Sequence, residues 1–386
     1  MNNRDEALEL HADNPGKISV EPSVEVETAD DLELVYTPGV AEPCRRIAEK
    51  PEKSYKYTSR GNLVGIVSDG SAVLGLGDIG PEASMPVMEG KANLMKKFAD
   101  VDGVPLCINA DSPQESVEFV ERAAPTFGAF NLEDISAPQC FEIERSLKQK
   151  LDVPVFHDDQ HGTAVVVLAA LENALEVVDK SLEGSRITIV GAGASGTAVA
   201  EFLHEAGAGE ILPVDRNGVI DTRSEETHKQ RLAELTGPHS EETMEDAFED
   251  ADVFIGLSTG GIVSDELVES MSDDPVVFAL ANPDPEIHPE SARKAGAEVI
   301  ATGRSDFDNQ VNNSLAFPGI FRGVLDAQAS EVNEEIKLAA SQAIRDTIEE
   351  PRKDRIVPET LDRSLATEVA EAVRTAARET GVSRNG

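Results

Sequence analysis

Short runs of β-branched and other apolar residues alternate along this chain with stretches whose apolar positions recur every three to four residues. Residues 63–67, 104–108, 128–132 and 153–156 read as buried strands, and helical periodicity fills 85–98, 113–124 and 139–151. A long apolar helix is expected over 163–178. A second series of strands follows at 186–190, 210–214, 252–256, 275–280 and 298–301. Strands separated by helices cannot pair as hairpins, so the pattern predicts an α/β protein of two domains with mainly parallel sheets. The boundary is placed near residue 160, giving segments 1–160 and 161–386. The final stretch, roughly 55 residues, reads as helical and broken at Pro351. No internal repeat and no low-complexity tract interrupts this organisation.

Composition narrows the class. Of 386 residues, 40% are hydrophobic but only 4% aromatic, with no Trp, so the core must rest on Val, Leu, Ile and Ala. Acidic residues outnumber basic ones 73 to 34, a net charge of −39. Nucleic acids and anionic membranes both call for a basic face, so neither is an expected partner. The acid is spread through 25–33, 241–252, 265–274 and 331–335, as solvated helix faces would be. Its total costs self-repulsion unless salt screens it, which points to adaptation to high intracellular salt. Cys44, Cys107 and Cys140 form no C-x-x-C pair, which excludes a disulfide scaffold or zinc finger and suggests a reducing compartment. Residues 1–11 are polar and acidic without an apolar signal core, and no apolar run approaches the ~18 residues of a membrane span. A soluble, cytoplasmic protein is expected.

Two sets of motifs carry chemistry. In the second half, Gly191-Ala-Gly193-Ala-Ser195-Gly196 stands between a compact β run and a helix-compatible stretch. In that setting the glycines permit a tight turn and let backbone N–H groups approach a pyrophosphate. Asp215 ends the next strand, nineteen residues past Gly196, where an acid would hold an adenosine ribose. Asp215 favours NAD and the adjacent Arg216 could accept the extra phosphate of NADP, so the choice stays open. Ser258-Thr-Gly-Gly261 reads as another cofactor-facing loop.

In the first half, Glu133-Asp134 and Asp158-Asp159 each directly follow or closely follow a strand. Parallel strands would bring both pairs to one carboxyl edge, where such sheets bind ligands. Converging carboxylates call for a cation, and all-oxygen ligation favours Mg²⁺ or Mn²⁺; for any single acid, an N-cap is the alternative. His157 and His161, four apart, raise a zinc hydrolase as a competitor. Their place at a strand end, without a general-base Glu or an obvious third soft ligand, argues against it. Lys91, in a largely apolar helix, is either a snorkelling side chain or a base whose pKa burial lowers. Tyr36, before a turn, is either an amphipathic core edge or a proton donor.

Together these residues resemble the malic enzyme family, specifically its short prokaryotic form. The matching runs include Tyr36-Thr-Pro-Gly-Val-Ala41, Ser68-Asp-Gly70 through Leu74-Gly-Leu-Gly-Asp-Ile-Gly80, and Pro86-Val-Met-Glu-Gly-Lys-Ala92. Pro125-Thr-Phe-Gly128, Asn131-Leu-Glu-Asp-Ile135 and Phe156-His-Asp-Asp-Gln-His-Gly-Thr163 continue them. Gly191–Gly196, Ala281-Asn-Pro283, Ala301-Thr-Gly-Arg-Ser305, Gln310-Val-Asn-Asn313 and Phe317-Pro-Gly-Ile-Phe-Arg322 complete the series, in the family's order.

The resemblance implies a malic-type first domain, a Rossmann-like second domain, and oxidative decarboxylation of L-malate to pyruvate and CO₂ with reduction of NAD or NADP. Carried over, Glu133, Asp134 and Asp159 would ligate Mg²⁺ or Mn²⁺, with Asp158 supporting them. Lys91 would be the general base and Tyr36 the general acid, while Asn282 and Asn313 would hold malate beside the nicotinamide. Family members are commonly dimers or larger, so a homo-oligomer is expected. Oxaloacetate decarboxylation or the malolactic reaction at the same site is the near alternative; a catalytically silent NAD-binding regulator is the remote one. Two departures stand out. Asp69-Gly-Ser-Ala-Val73 lacks the arginine that larger relatives use for the malate carboxylate, leaving Ser71 or backbone N–H groups as expected substitutes. A phosphotransacetylase-like extension, and regulation through it, is not expected.

Overall fold

The computed structural model describes residues 3–384 apart from Pro15 and Leu74. Met1 of the acidic N-terminal stretch and Leu74 of the Leu74–Gly80 run thus lie outside the described residues. Two α/β units carry the predicted strands. The first sheet comprises β1 (Leu63–Ser68), β2 (Asp102–Cys107), β3 (Ala129–Leu132) and β4 (Val155–His157), ordered β2-β1-β3-β4 and wholly parallel. The second comprises β5 (Arg186–Val190), β6 (Glu210–Asp215), β7 (Gly218–Val219), β8 (Val253–Gly256), β9 (Val276–Ala279) and β10 (Val299–Thr302), ordered β10-β9-β8-β5-β6-β7. Its pairings are parallel except that β7 runs antiparallel to β6. The two residues of β7 are too few to show a period, which is why the sequence does not reveal them. The second sheet's order reverses between β5 and β8, opening a crevice at the carboxyl ends of those strands.

The Thr163–Val177 helix links the sheets. Every residue from Ala164 to Leu171 is buried, as are Asn173, Ala174 and Leu175. A helix this apolar must be enclosed along most of its length; only Glu172 and Glu176, near its carboxyl end, have charged heads that reach the surface. It belongs to a single cluster that runs from Val64, Ile66 and Phe156 through Ile187 and Ile189 to Phe321, Val369 and Val373. The two sheets therefore share a core. Helices Phe317–Ala327 and Leu365–Glu379 close that core at near contact, because Gly319 and Gly323 face Val369 and Val373; a Cβ on either glycine would lie 2.6 Å from the valine.

Two differences from expectation have tertiary causes. Helix Glu334–Asp346 is followed by residues 347–364 without α-helix, a longer break than Pro351 alone requires. The segment is tied elsewhere: Ile356 N–H donates to Asn309 Oδ1 at 2.9 Å, and its carbonyl accepts from Asn173 Nδ2 at 2.9 Å. At the other end, residues 5–50 include helices Ala29–Val35 and Ala41–Glu49, not anticipated from the sequence, which bury none of their residues. Thr28 caps the first by accepting from Asp31 N–H while the Asp31 carboxylate reaches back to Thr28 N–H. None of the described helices is long and apolar enough to cross a membrane.

Candidate active site

Lys91 owes its position to helix Pro81–Ala99. Ser84, Met88, Lys91, Ala92, Met95 and Ala99 form the buried face, so this lysine points into the core between two methionines. It does not snorkel: it is 7% exposed, and its ammonium bonds Glu133 Oε1 at 2.9 Å and the Asp158 carboxylate. The Phe317 ring lies 4.0 Å from Nζ, delivered by the first turn of helix Phe317–Ala327. Burial alone would pull the Lys91 pKa down, but Asp158 and Glu133 outweigh it and hold the ammonium above its usual range. Of the two readings of this lysine, burial excludes snorkelling, and the acids around it oppose the lowered pKa of the other. The sequence places the lysine on an apolar helix but does not show which acids meet it.

The acidic pairs arrive as parallel strands require. Strands β3 and β4 are neighbours with Leu132 opposite His157, so Glu133-Asp134 and Asp158-Asp159 leave the same edge. Asn131 Nδ2 donates to Glu133 Oε2 at 2.8 Å, and Asp134 N–H donates to Asp159 Oδ2 at 2.8 Å. Residues 158–162 form a π-helical turn that feeds directly into the central helix. Burial raises Asp158 to about 7 and Asp159 to about 6 against the pull of Lys91, and raises Glu133 likewise. More carboxylate is gathered here than one ammonium can neutralise. That surplus, an all-oxygen donor set, suits a hard divalent cation, which Glu133, Asp134 and Asp159 are the expected residues to hold.

Another acidic group must be weighed against it. Among the described residues, Glu210, His239 and Glu241 bring ligand atoms within 4.8 Å of one another, a closeness Glu133, Asp134 and Asp159 do not reach. That group lies at the amino end of β6, away from the ligand-binding edge. Arg186 already engages it, with Glu210 at 2.7 Å and Glu241 at 2.8 Å. Nor does the His157/His161 pair offer a zinc site: His161 meets Glu144 at 2.9 Å through Nε2 and Lys337 at 3.3 Å through Nδ1, leaving neither nitrogen available.

A cavity of about 430 Å³ opens above Lys91 and is lined also by Glu133, Asn313, Ser314, Phe317 and Lys17. Lys17, not singled out from the sequence, adds a second cation there, its ammonium donating to the Pro86 carbonyl at 2.6 Å. Ser71 does not fill the expected carboxylate-binding role: its hydroxyl donates to Asp69 at 2.6 Å and accepts from Ser136 N–H at 2.9 Å. Two expected members are not among its lining residues. Asn282 follows β9 and donates to the Gly303 carbonyl at 3.3 Å. Tyr36 caps helix Ala29–Val35, 67% exposed, and does not line the cavity.

The second sheet presents the other half of the site. Gly191, at φ +118°, abuts the Leu257 carbonyl, and a side chain on Gly196 would collide with the Gly191 carbonyl. Glycine is required at both of these positions. Helix Ala194–Glu205 therefore starts close beneath β5 with Ser195 in its first turn, its N–H groups facing the crevice. A cavity of about 400 Å³ follows, lined by Gly191, Asp215, Arg216, Glu242, Glu245, Ser258 and Thr259. Asp215 accepts from Asn217 N–H at 2.7 Å and Lys229 Nζ at 2.9 Å.

The comparisons with known proteins agree on one family. Residues 15–116 match the malic enzyme N-terminal domain and residues 160–378 the malic enzyme NAD binding domain. The chain is 51% identical to a bifunctional malic/malolactic enzyme of Bacillus subtilis, covering 100% of this chain and 95% of that one. It is 48% identical to an NADP-dependent malic enzyme of Halomonas elongata, covering 99% and 95%. A crystal structure of malic enzyme from Pyrococcus horikoshii superposes with a TM-score of 0.95 at 46% identity, covering 99% of this chain and 92% of that one.

Proposed function

The chain belongs to the malic enzyme family, and on that premise we propose that it oxidatively decarboxylates L-malate to pyruvate and CO₂, reducing NAD(P)⁺. The observation that carries this reading is the buried Lys91 ammonium, held between Glu133 and Asp158 at the floor of a cavity that Asn313 also lines. We assign the residues up to 160 to the catalytic domain and the rest to the dinucleotide domain.

In this reading Lys91, once neutral, takes the proton of the malate C2 hydroxyl as the C2 hydride leaves for the nicotinamide. The C3–C4 bond then breaks to release CO₂, and C3 takes up a proton delivered by Tyr36. Asn313 and Asn282 orient the substrate, and Lys17 attracts its dianion. A bound Mg²⁺ or Mn²⁺ would draw off the carboxylate charge that keeps Lys91 protonated and stabilise negative charge developing on the C2 oxygen. Asp215, Glu242 and Glu245 face a single guanidinium, Arg216, in the adenosine cavity, which favours NAD⁺ over the more anionic NADP⁺. The net charge of −39 supports a protein whose working medium is salty.

The test is malate turnover with Mn²⁺ and NAD⁺ or NADP⁺ in parallel, at ~0.1 M and ~2 M KCl to vary screening. Matched growth of NAD(P)H and pyruvate, abolished by EDTA and fastest with NAD⁺ in high salt, is expected. The Bacillus subtilis relative's name favours a second reading, the malolactic reaction. Lactate without net NADH would establish it and displace the first.

Tyr36 bears on assembly. It sits in an exposed segment with Leu32, Leu34, Val35 and Val40, and proton delivery requires it beside Lys91. We therefore assign the protein to a homo-oligomer in which Tyr36 serves the cavity of a second copy. Tyr36→Phe should slow pyruvate formation about 100-fold, on the scale of acid–base groups, and oxaloacetate reduction less. Mixing Tyr36→Phe with Lys91→Ala protein should restore activity that neither has alone; no recovery after subunit exchange would place Tyr36 in its own chain's site.

A further inference from the structure

Glu286 has no part in the chemistry above, yet it is completely buried. Its carboxylate reaches two loops at once. Oε1 accepts from Ser258 N–H at 2.9 Å, and Oε2 accepts from Ala281 N–H at 3.1 Å. Ser258 lies in the loop leaving β8 and lines the cofactor cavity; Ala281 directly precedes Asn282 in the loop leaving β9. Main-chain bonds run alongside, from Gly261 N–H to the Pro285 carbonyl at 3.0 Å and from Val263 N–H to the Glu286 carbonyl at 3.1 Å.

The sequence makes room for this acid. Gly256 ends β8, and a Cβ there would overlap the Glu286 carboxylate. Its environment is unusual for a buried charge, since the bonds that favour the anion all come from backbone N–H groups, including its own. Burying a carboxylate is unfavourable, and an apolar side chain could fill the same space without that cost. What an apolar residue could not do is accept from both loops.

We propose that Glu286 is a positioning residue whose two carboxylate oxygens lock the Ser258 and Ala281–Asn282 loops into one frame, setting the nicotinamide against malate C2 for hydride transfer. The inference rests on the proposed malate reaction and on Asn282 as a substrate ligand. It predicts damage confined to one step. Hydride transfer depends on the relative placement of cofactor and substrate, whereas decarboxylation of added oxaloacetate needs the metal, Lys91 and Tyr36 but moves no hydride.

The experiment uses the full chain with Mn²⁺, NAD⁺ and either malate or malate deuterated at C2. Glu286→Gln keeps the volume but turns one acceptor into a donor facing an N–H; Glu286→Asp retracts the carboxylate by one methylene. Malate oxidation should fall at least about 10-fold in Glu286→Gln, given the sensitivity of reacting geometry to small displacements. The deuterium isotope effect should rise, while oxaloacetate decarboxylation and the Mn²⁺ half-saturation stay near wild type. Glu286→Asp should fall between the two. Gly256→Ala, which crowds the carboxylate while keeping it, should reproduce the selective loss and serves if the Gln variant does not fold. Equal loss of both reactions, loss of neither, or misfolding of all three variants overturns the proposal. Wild-type protein that forms no NAD(P)H from malate would instead overturn the proposed function itself.

Discussion

Lys91→Ala should lower kcat for malate oxidation by at least about 100-fold, the usual scale for a general base. Lys91 is the cation at the floor of the cavity, and removing it also leaves Glu133 and Asp158 facing each other without their shared ammonium. Burial already raises both acids, Asp158 to about 7, so the vacated pair can take up a proton rather than unfold the edge of the sheet. Far-ultraviolet circular dichroism should accordingly change little, and NADH should still bind, because its cavity lies on the second sheet. Lys91→Arg keeps the charge but not the small, titratable head, and should fail to restore turnover. A kcat within about threefold of wild type in Lys91→Ala would remove this residue from the chemistry, since base catalysis is worth far more than that.

The second large effect concerns the metal. Asp159→Asn should raise the Mn²⁺ half-saturation about 100-fold, at the upper end of what supporting residues cost and fitting for a ligand. The amide retains an oxygen able to accept from Asp134 N–H, a bond of 2.8 Å in the native chain, so the local turn should survive. Glu241→Gln, in the Arg186-bound group at the opposite edge, should leave the titration unchanged. The pair of variants separates the two acidic clusters: a shift with Glu241→Gln and none with Asp159→Asn would move the metal to the Glu210–His239–Glu241 group.

Most of what locates the candidate site was legible because it is local. A strand followed at once by two acids, or by Gly-x-Gly-x-x-Gly and a helix, states its geometry within a dozen residues, and both sheets form where such runs predict. The 349–352 turn was only partly legible, since the length of the break depends on Asn309 and Asn173, remote in the chain. Lys91 shows the same limit more sharply. Its helix could be read from periodicity, but the sign of its pKa shift depends on Asp158, sixty-seven residues away. Glu286 was invisible for that reason too, because an acid near a proline-rich turn ordinarily signals surface. Phe317 stood inside a recognised run, yet nothing in that run says its ring covers Lys91.

The helix Thr163–Val177, buried over most of its length, limits how this chain can be recombined. Its two halves are not exchangeable cassettes, although each is built on its own sheet. A foreign dinucleotide-binding half would have to match the groove around that helix, and also the valines of Leu365–Glu379 that seat against Gly319 and Gly323. A crossover at the start of the helix would separate surfaces that pack against each other. Chimeras should tolerate junctions in exposed connections away from both cavities far better than a junction at the point where the first domain gives way to the second.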